Sequence, residues 1–120
     1  MKTTDLTGAL LEYWVARAEG DKPEDLTIKR NQVFRQHHDP KRHGGFARVL
    51  DYSTNWALTG PLLEKHGMET RIEHYGWEAW APDERGAIHI MREATGEKLL
   101  IAICRAVVRA AFGDEVEDIQ

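Results

Sequence analysis

The segment that most constrains the fold of this chain is the apolar run LLIAICRAVVRAAF, residues 99–112. At 3.6 residues per turn, its apolar side chains occupy one wide face of a helix, and Gly113 supplies a stop signal. That face consists of Leu99, Ile103, Ala106 and Ala110, widened by Leu100, Val107 and Ala111. A face of this width needs a large apolar partner, so the run predicts the core helix of a domain that also contains a sheet.

Two further helices are indicated by capping and stop residues. The first starts from a threonine cap at residues 3–4, directly before Asp5, and ends at Gly20. The second is short: Gly60 and Pro61 open it, with the proline in its first turn, and Gly67 closes it.

Alternating apolar and polar residues predict strands over 68–75 and 77–82, and a third around Ile88 and Ile90. Strand character is also present from Leu26 onward, but the alternation there is imperfect. We therefore predict an α+β fold, in which a small antiparallel sheet of about three strands packs against two long helices and one short helix.

The composition limits the class of protein. A length of 120 residues corresponds to one domain, which we assign to residues 1–120. The net charge of −4 argues against a nucleic-acid-binding role, and no apolar run is long enough to span a membrane. Cys104 is the only cysteine, so no disulfide forms within the chain, and a reducing compartment such as the cytoplasm is expected.

Charge is unevenly distributed along the chain. Residues 26–50 carry six basic side chains against Asp39, a net charge of +5. Within them, residues 37–45 contain a proline and two glycines and predict a flexible basic loop. Residues 114–120 predict an acidic, solvated tail. The basic segment would meet an anion, or it is simply solvated.

Motifs for catalysis or metal binding are weak. His37, His38 and His43 fall within the predicted loop without the spacing of a zinc site, so no metal and no cofactor is predicted. Ser53 lies outside any nucleophile-elbow motif, and Cys104 lies within an apolar helix that would keep its thiol protonated. No catalytic residue is assigned, and an enzymatic role is not expected.

The segment DYSTNWALTGP, residues 51–61, is the best candidate for ligand binding, since it places polar groups and an indole just before the predicted helix start. In the alternative interpretation Trp56 is a core residue and the polar groups merely cap a turn. The predicted ligand-binding residues are those of this segment with three arginines as sources of positive charge: Tyr52, Asn55, Trp56, Thr59, Gly60, Arg105, Arg42 and Arg48.

Four segments resemble those of a known family: DLTGALLEYWVARAEG, YSTNWALTGPLLEKHG, WEAWAP and LLIAICRAVVRAAFGDEVE. Together they make most of the chain similar to the NinX-like family of small bacteriophage proteins. The most specific parts are Trp56 with Gly60 and Pro61, and the last predicted helix with Arg105, which is followed by FGD at residues 112–114. Where the family often has a proline after the tyrosine, this chain has serine and threonine, and residues 26–48 do not obviously match.

The resemblance implies a phage or prophage accessory protein acting in the cytoplasm of a bacterial host, and it implies no particular reaction. The leading hypothesis is non-enzymatic binding of a small anionic, nucleotide-like ligand or of a host protein. One alternative is a protein-interaction module that contacts a host protein through the basic loop, and a second is a small hydrolase or transferase. A homodimer is compatible with four tryptophans in a chain of this size.

Overall fold

The computed structural model describes residues 1–37, 46–85 and 90–119. Helices α1 (Gly8–Ala18), α2 (Trp56–His66) and α3 (Leu99–Phe112) are joined by six strands and two 3₁₀ turns, Thr3–Asp5 and Pro23–Asp25. The strands are β1 (Leu26–Lys29), β2 (Gln32–His37), β3 (Phe46–Val49), β4 (Glu69–Glu73), β5 (Gly76–Pro82) and β6 (Met91–Gly96). The predicted α+β class is confirmed.

The strands form two antiparallel sheets, β1-β2-β3 and β4-β5-β6. The strands predicted over 68–75 and 77–82 belong to the second sheet. The strand character predicted from Leu26 onward is confirmed by β1 and β2, but the imperfect alternation of its apolar residues does not indicate a separate sheet. Arg30 and Asn31 form the turn between β1 and β2, and their φ angles are positive, 53° and 60°. Asparagine tolerates this backbone region better than most residues, but an arginine there gives no sequence signal.

Helix α3 is the core helix that the sequence predicts, and it packs on β5 and β6. Ala79, Ala81 and Ala94 face it and are almost completely buried. At Gly96 the approach is closest, because an added Cβ atom would lie 2.6 Å from the backbone nitrogen of Ala102. Small side chains on the strands therefore let the helix backbone lie close to the sheet.

Helix α1 is shorter than predicted and begins at Gly8, whose φ is +56°. The residues before it are held by the other end of the chain: the Thr3 hydroxyl donates to the carbonyl of Gly113, and Lys2 forms a β-bridge with Glu115. Within the predicted acidic tail the acids are exposed, whereas Val116 and Ile119 pack against the core.

The predicted start of the second helix is wrong. Helix α2 begins at Trp56, because the Asn55 side chain accepts a hydrogen bond from the backbone N–H of Ala57 and caps the helix there. Pro61 therefore lies inside the helix on its exposed side, where the carbonyl left without a partner can face water. The predicted stop at Gly67 is confirmed, with a left-handed φ of 64°.

Two predictions concern residues that are not described. The basic loop falls almost entirely in 38–45, since His37 is the last residue of β2. Ile88, part of the predicted third strand, also lies outside the described residues, and the strand observed in that region starts at Met91.

Candidate functional site

The segment that the sequence singles out forms a tight turn followed by the first turn of α2. The backbone N–H groups of Thr54 and Asn55 both donate to the carbonyl of Asp51. The Asn55 side chain donates to the Asp51 carboxylate at 3.1 Å and accepts from Ala57 N–H at 3.0 Å. The amide of Asn55 is therefore engaged in building the turn.

Trp56 is not a core residue: 53% of its surface is exposed. Its indole lies against the helix at Gly60, where an added Cβ atom would be 2.7 Å from Cε2 and 2.9 Å from Nε1 of the ring. Only a residue without a side chain leaves room for the ring in this position. The glycine thus holds an exposed indole in one place on the helix surface.

Tyr52 and Thr59 lie beneath this surface. Both are buried, with exposures of 5% and 0%, and the Thr59 hydroxyl donates to the carbonyl of Tyr52. These two predicted site residues therefore connect the turn to the helix from below, and a ligand on the surface would not contact them directly.

Glu12 of α1 holds the same turn from the protein interior. Its carboxylate accepts hydrogen bonds from the Ser53 hydroxyl at 2.9 Å and the Ser53 backbone N–H at 3.2 Å. Glu12 is 6% exposed, and its burial raises the pKa of the carboxyl group despite these two hydrogen bonds. A glutamate inside the apolar run LLEYWVA is a sequence signal for a buried polar contact, although the sequence does not indicate its partner.

Arg105 and Arg48, the two arginines of the predicted site in the described part of the chain, form no hydrogen bond with Trp56. Arg105 donates to the backbone carbonyls of Leu6 and Thr95 and so ties α3 to the chain start and to β6. Arg48 is exposed on β3 opposite Arg35, and Arg42 lies outside the described residues. The set of ligand-binding residues therefore stays a prediction.

A second polar cluster joins the carboxyl ends of α1 and α2. Glu19 accepts hydrogen bonds from Lys65 at 2.7 Å and from Nε2 of His66 at 2.8 Å, and Nδ1 of His66 lies 3.0 Å from Glu84. Burial alone would raise the pKa of Glu19, but the hydrogen bonds from His66 and Lys65 lower it below its usual value. The hydrogen bond to Glu19 raises the pKa of His66.

The chemistry of nucleophiles and metal ligands can be assessed at Cys104 and at the His, Asp and Glu side chains that the structure describes. Burial raises the pKa of Cys104 to about 12, so its thiol stays protonated. In the described part of the chain no three His, Cys, Asp or Glu side chains are grouped as a metal site requires. Of the histidines in the predicted loop, His38 and His43 lie outside the described residues.

The sequence did not predict a half-open cavity of about 740 Å³ beside the start of α1. Three separate segments of the chain form it, which is why no local pattern indicates it. Polar and apolar atoms contribute almost equally to its surface, and Thr7 and Asn31 supply polar side chains. The lining residues are Thr7, Gly8, Ala9, Leu10, Tyr13, Pro23, Leu26, Ile28, Asn31 and Ile119.

Comparison with known proteins gives the family. Within residues 1–37, 46–85 and 90–119, no helix is long and apolar enough to cross a membrane. No curated protein matches the chain in a sequence search. The profile of the family described as "Bacteriophage P22, NinX" matches residues 2–110, which include the turn before Trp56 and α3 as far as Ala110. The chain therefore belongs to the NinX family of bacteriophage proteins.

Proposed function

We propose that this phage accessory protein acts in the host cytoplasm by binding a host protein, and that the exposed start of α2 is the contact surface. We define the Trp56 face as Trp56, Ala57, Gly60 and Pro61, which lie on one side of the helix at spacings of one, four and five residues. Three of the four are exposed and none is charged. Since 30% of the residues in this chain are charged, an uncharged helix face that carries an exposed tryptophan differs from the average surface of the protein. Apolar surface of this kind is a candidate for contact with a partner.

The observation that carries the proposal is the position of the indole. A tryptophan that is half exposed in the free protein has about half of its surface left to bury against a partner. Tryptophan is among the residues that most often dominate the binding energy of protein interfaces. Because Gly60 and the helix already hold the ring, binding costs little side-chain entropy.

The underside of the Trp56 face is rigid, which supports the same role. Thr59 is fully buried and bonded to the Tyr52 carbonyl, and Glu12 holds Ser53 from the interior. A surface supported by buried hydrogen bonds keeps its shape when a partner leaves. Such pre-organisation favours affinity for one partner over adaptation to many.

The small anionic, nucleotide-like ligand is the second candidate, favoured by one observation: the indole has a free surface on which a base could stack. The helix start offers such a ligand less than the sequence suggested. The backbone N–H of Ala57 already donates to the side chain of Asn55, and the backbone carbonyl of Asn55 accepts hydrogen bonds from the N–H groups of Leu58 and Thr59. The positive charge that an anionic ligand needs would then have to come from arginines such as Arg48. A protein partner has no such requirement and therefore ranks first.

The experiment is a capture of bacterial host proteins on the immobilised chain, compared between the wild type and Trp56→Ala. Tyr75→Ala is the matched control, because Tyr75 is 49% exposed and lies in the β4–β5 turn, outside the Trp56 face. A host protein that binds the wild type and the control, and binds Trp56→Ala at least tenfold more weakly when purified and titrated, supports the proposal.

Two other outcomes would contradict it. Equal capture by the wild type and Trp56→Ala removes the Trp56 face as the contact surface. Binding that weakens steeply with rising salt concentration and is unchanged by Trp56→Ala points to the basic loop instead, since salt screens contacts between exposed charges. Native mass spectrometry of the purified chain tests the second candidate, because a bound small molecule appears there as a discrete added mass.

A further inference from the structure

Strand β4 is an edge strand, since the order of its sheet is β4-β5-β6. Four of its five residues, Glu69 to Ile72, are exposed. The side chain of Ile72 is the most exposed among the large hydrophobic residues of the described chain, at 67%. An exposed edge that carries a large apolar side chain is a surface that can pair with another strand.

The two faces of β4 differ in chemistry. Ile72 lies opposite Trp77 of β5, on the face of the sheet that α3 covers further along. Arg71 lies on the other face, where it contacts Glu73 at 2.6 Å and Glu78 at 3.1 Å. Its side chain is 63% exposed and has donors left for another carboxylate.

We propose that the chain forms a homodimer in which β4 pairs antiparallel with β4 of a second copy, with the two-fold axis at Ile72. Ile72 then lies beside the partner's Ile72, and the two Trp77 side chains flank them, so four large apolar side chains form one row across both sheets. The two three-stranded sheets become one sheet of six strands.

Charge and the position of Ile72 together select this register among the neighbouring ones. With the axis at Ile72, Arg71 lies opposite the partner's Glu73, and the reverse pair forms on the other side of the axis. With the axis at Arg71, the two arginines would oppose each other and Glu69 would oppose the partner's Glu73. An axis at Thr70 also pairs opposite charges, but it leaves Ile72 away from the centre.

The interface is small. In this register only Arg71 to Glu73 of each β4 lie opposite strand residues of the partner, so the interface stays below the ~1,200 Å² that separates weak contacts from standard ones. The dimer should therefore form and dissociate with protein concentration. Sedimentation velocity over a hundredfold concentration range should show the mass rising from 13.7 kDa towards twice that value.

The first test is Ile72→Lys, which puts two like charges at the centre of the interface. It should weaken association at least tenfold and leave the circular dichroism spectrum unchanged, because the side chain is exposed in the monomer. A wild-type chain that stays monomeric at the highest concentration overturns the proposal. So does an Ile72→Lys variant that dimerises like the wild type.

The second test identifies the register. Arg71→Glu and Glu73→Arg each place like charges opposite each other, so each variant alone should be monomeric. Mixed, they bring opposite charges together at both positions and should form a heterodimer. Glu69→Arg is the control: it meets no charge in this register, whereas an axis at Thr70 would place it opposite the partner's Arg71. Loss of association in the control, or a mixture that stays monomeric, overturns the register.

Discussion

The contact between Trp56 and Gly60 can be tested by replacing the glycine with alanine. In an ordinary helix interior, Gly→Ala stabilises a protein by about 1 kcal/mol, because alanine has the higher helix propensity. Here the added Cβ atom would be 2.7 Å from Cε2 of the indole. Carbon atoms pack at roughly 3.5–4.0 Å, so the ring has to move by about 1 Å or leave the helix.

The size of the effect follows from the surface that the ring now covers. Trp56 is 53% exposed, so somewhat less than half of its surface is buried. For a tryptophan this is roughly 100 Å², and at about 25 cal/mol per Å² its full loss would cost about 2.5 kcal/mol. Since a displaced ring keeps some contacts, we expect a loss of about 1–2 kcal/mol, which cancels or exceeds the gain in helix propensity.

A double-mutant cycle isolates this contact. In a Trp56→Ala background, Gly60→Ala should stabilise the protein by about 1 kcal/mol, while in the wild type it should be neutral or destabilising. Denaturant unfolding of the four proteins gives the coupling free energy, expected at about 1–2 kcal/mol. Equal stabilisation in both backgrounds would refute the packing of the indole on Gly60 and, with it, the pre-organised Trp56 face.

Three further predictions concern groups outside the Trp56 face. The hydrogen bond with Glu19 raises the pKa of His66 above its usual 6.5. The charged imidazole therefore stabilises the fold fully below pH 6.5, and this stabilisation is lost as the pH rises through the pKa of the folded protein. His66→Gln should therefore destabilise by about 1–3 kcal/mol at pH 6 and by clearly less at pH 9 in urea unfolding; equal losses at both pH values would show that the ring acts by packing alone. Cys104 should not react with Ellman's reagent until the protein unfolds, since its thiol is buried and its pKa is about 12; rapid labelling of the native protein would contradict its position in the core. Gly96→Ala should destabilise by about 2 kcal/mol or more, because its Cβ atom would lie 2.6 Å from the backbone of α3; a change within about 0.5 kcal/mol would mean that helix and sheet are further apart than described.

Several elements were predictable because each is determined by neighbours in the sequence. The apolar face of α3 repeats at helical spacing over fourteen residues, so its identity does not depend on its partner. Gly67 ends α2 because a left-handed backbone favours glycine, a property of that residue alone. The alternation in β4 and β5 likewise indicates strands, and two residues remain between them for the hairpin turn.

Elements that the sequence did not determine depend on contacts between distant residues. The start of α2 was misplaced because Pro61 is a familiar helix opener, and the competing cap at Asn55 is decided by the turn that Glu12 stabilises from α1. Glu19 and His66 are 47 positions apart, so their pairing follows only from the packing of the two helices.

The same division applies to function. The sequence by itself determined the class of fold, the core helix and the similarity to a phage protein family. The tertiary structure decided that Trp56 is exposed, that Tyr52 and Thr59 are buried beneath it, and that Ile72 lies exposed on an edge strand. The physical reason is that periodicity and capping act within one element, whereas exposure depends on what the rest of the chain places against that element.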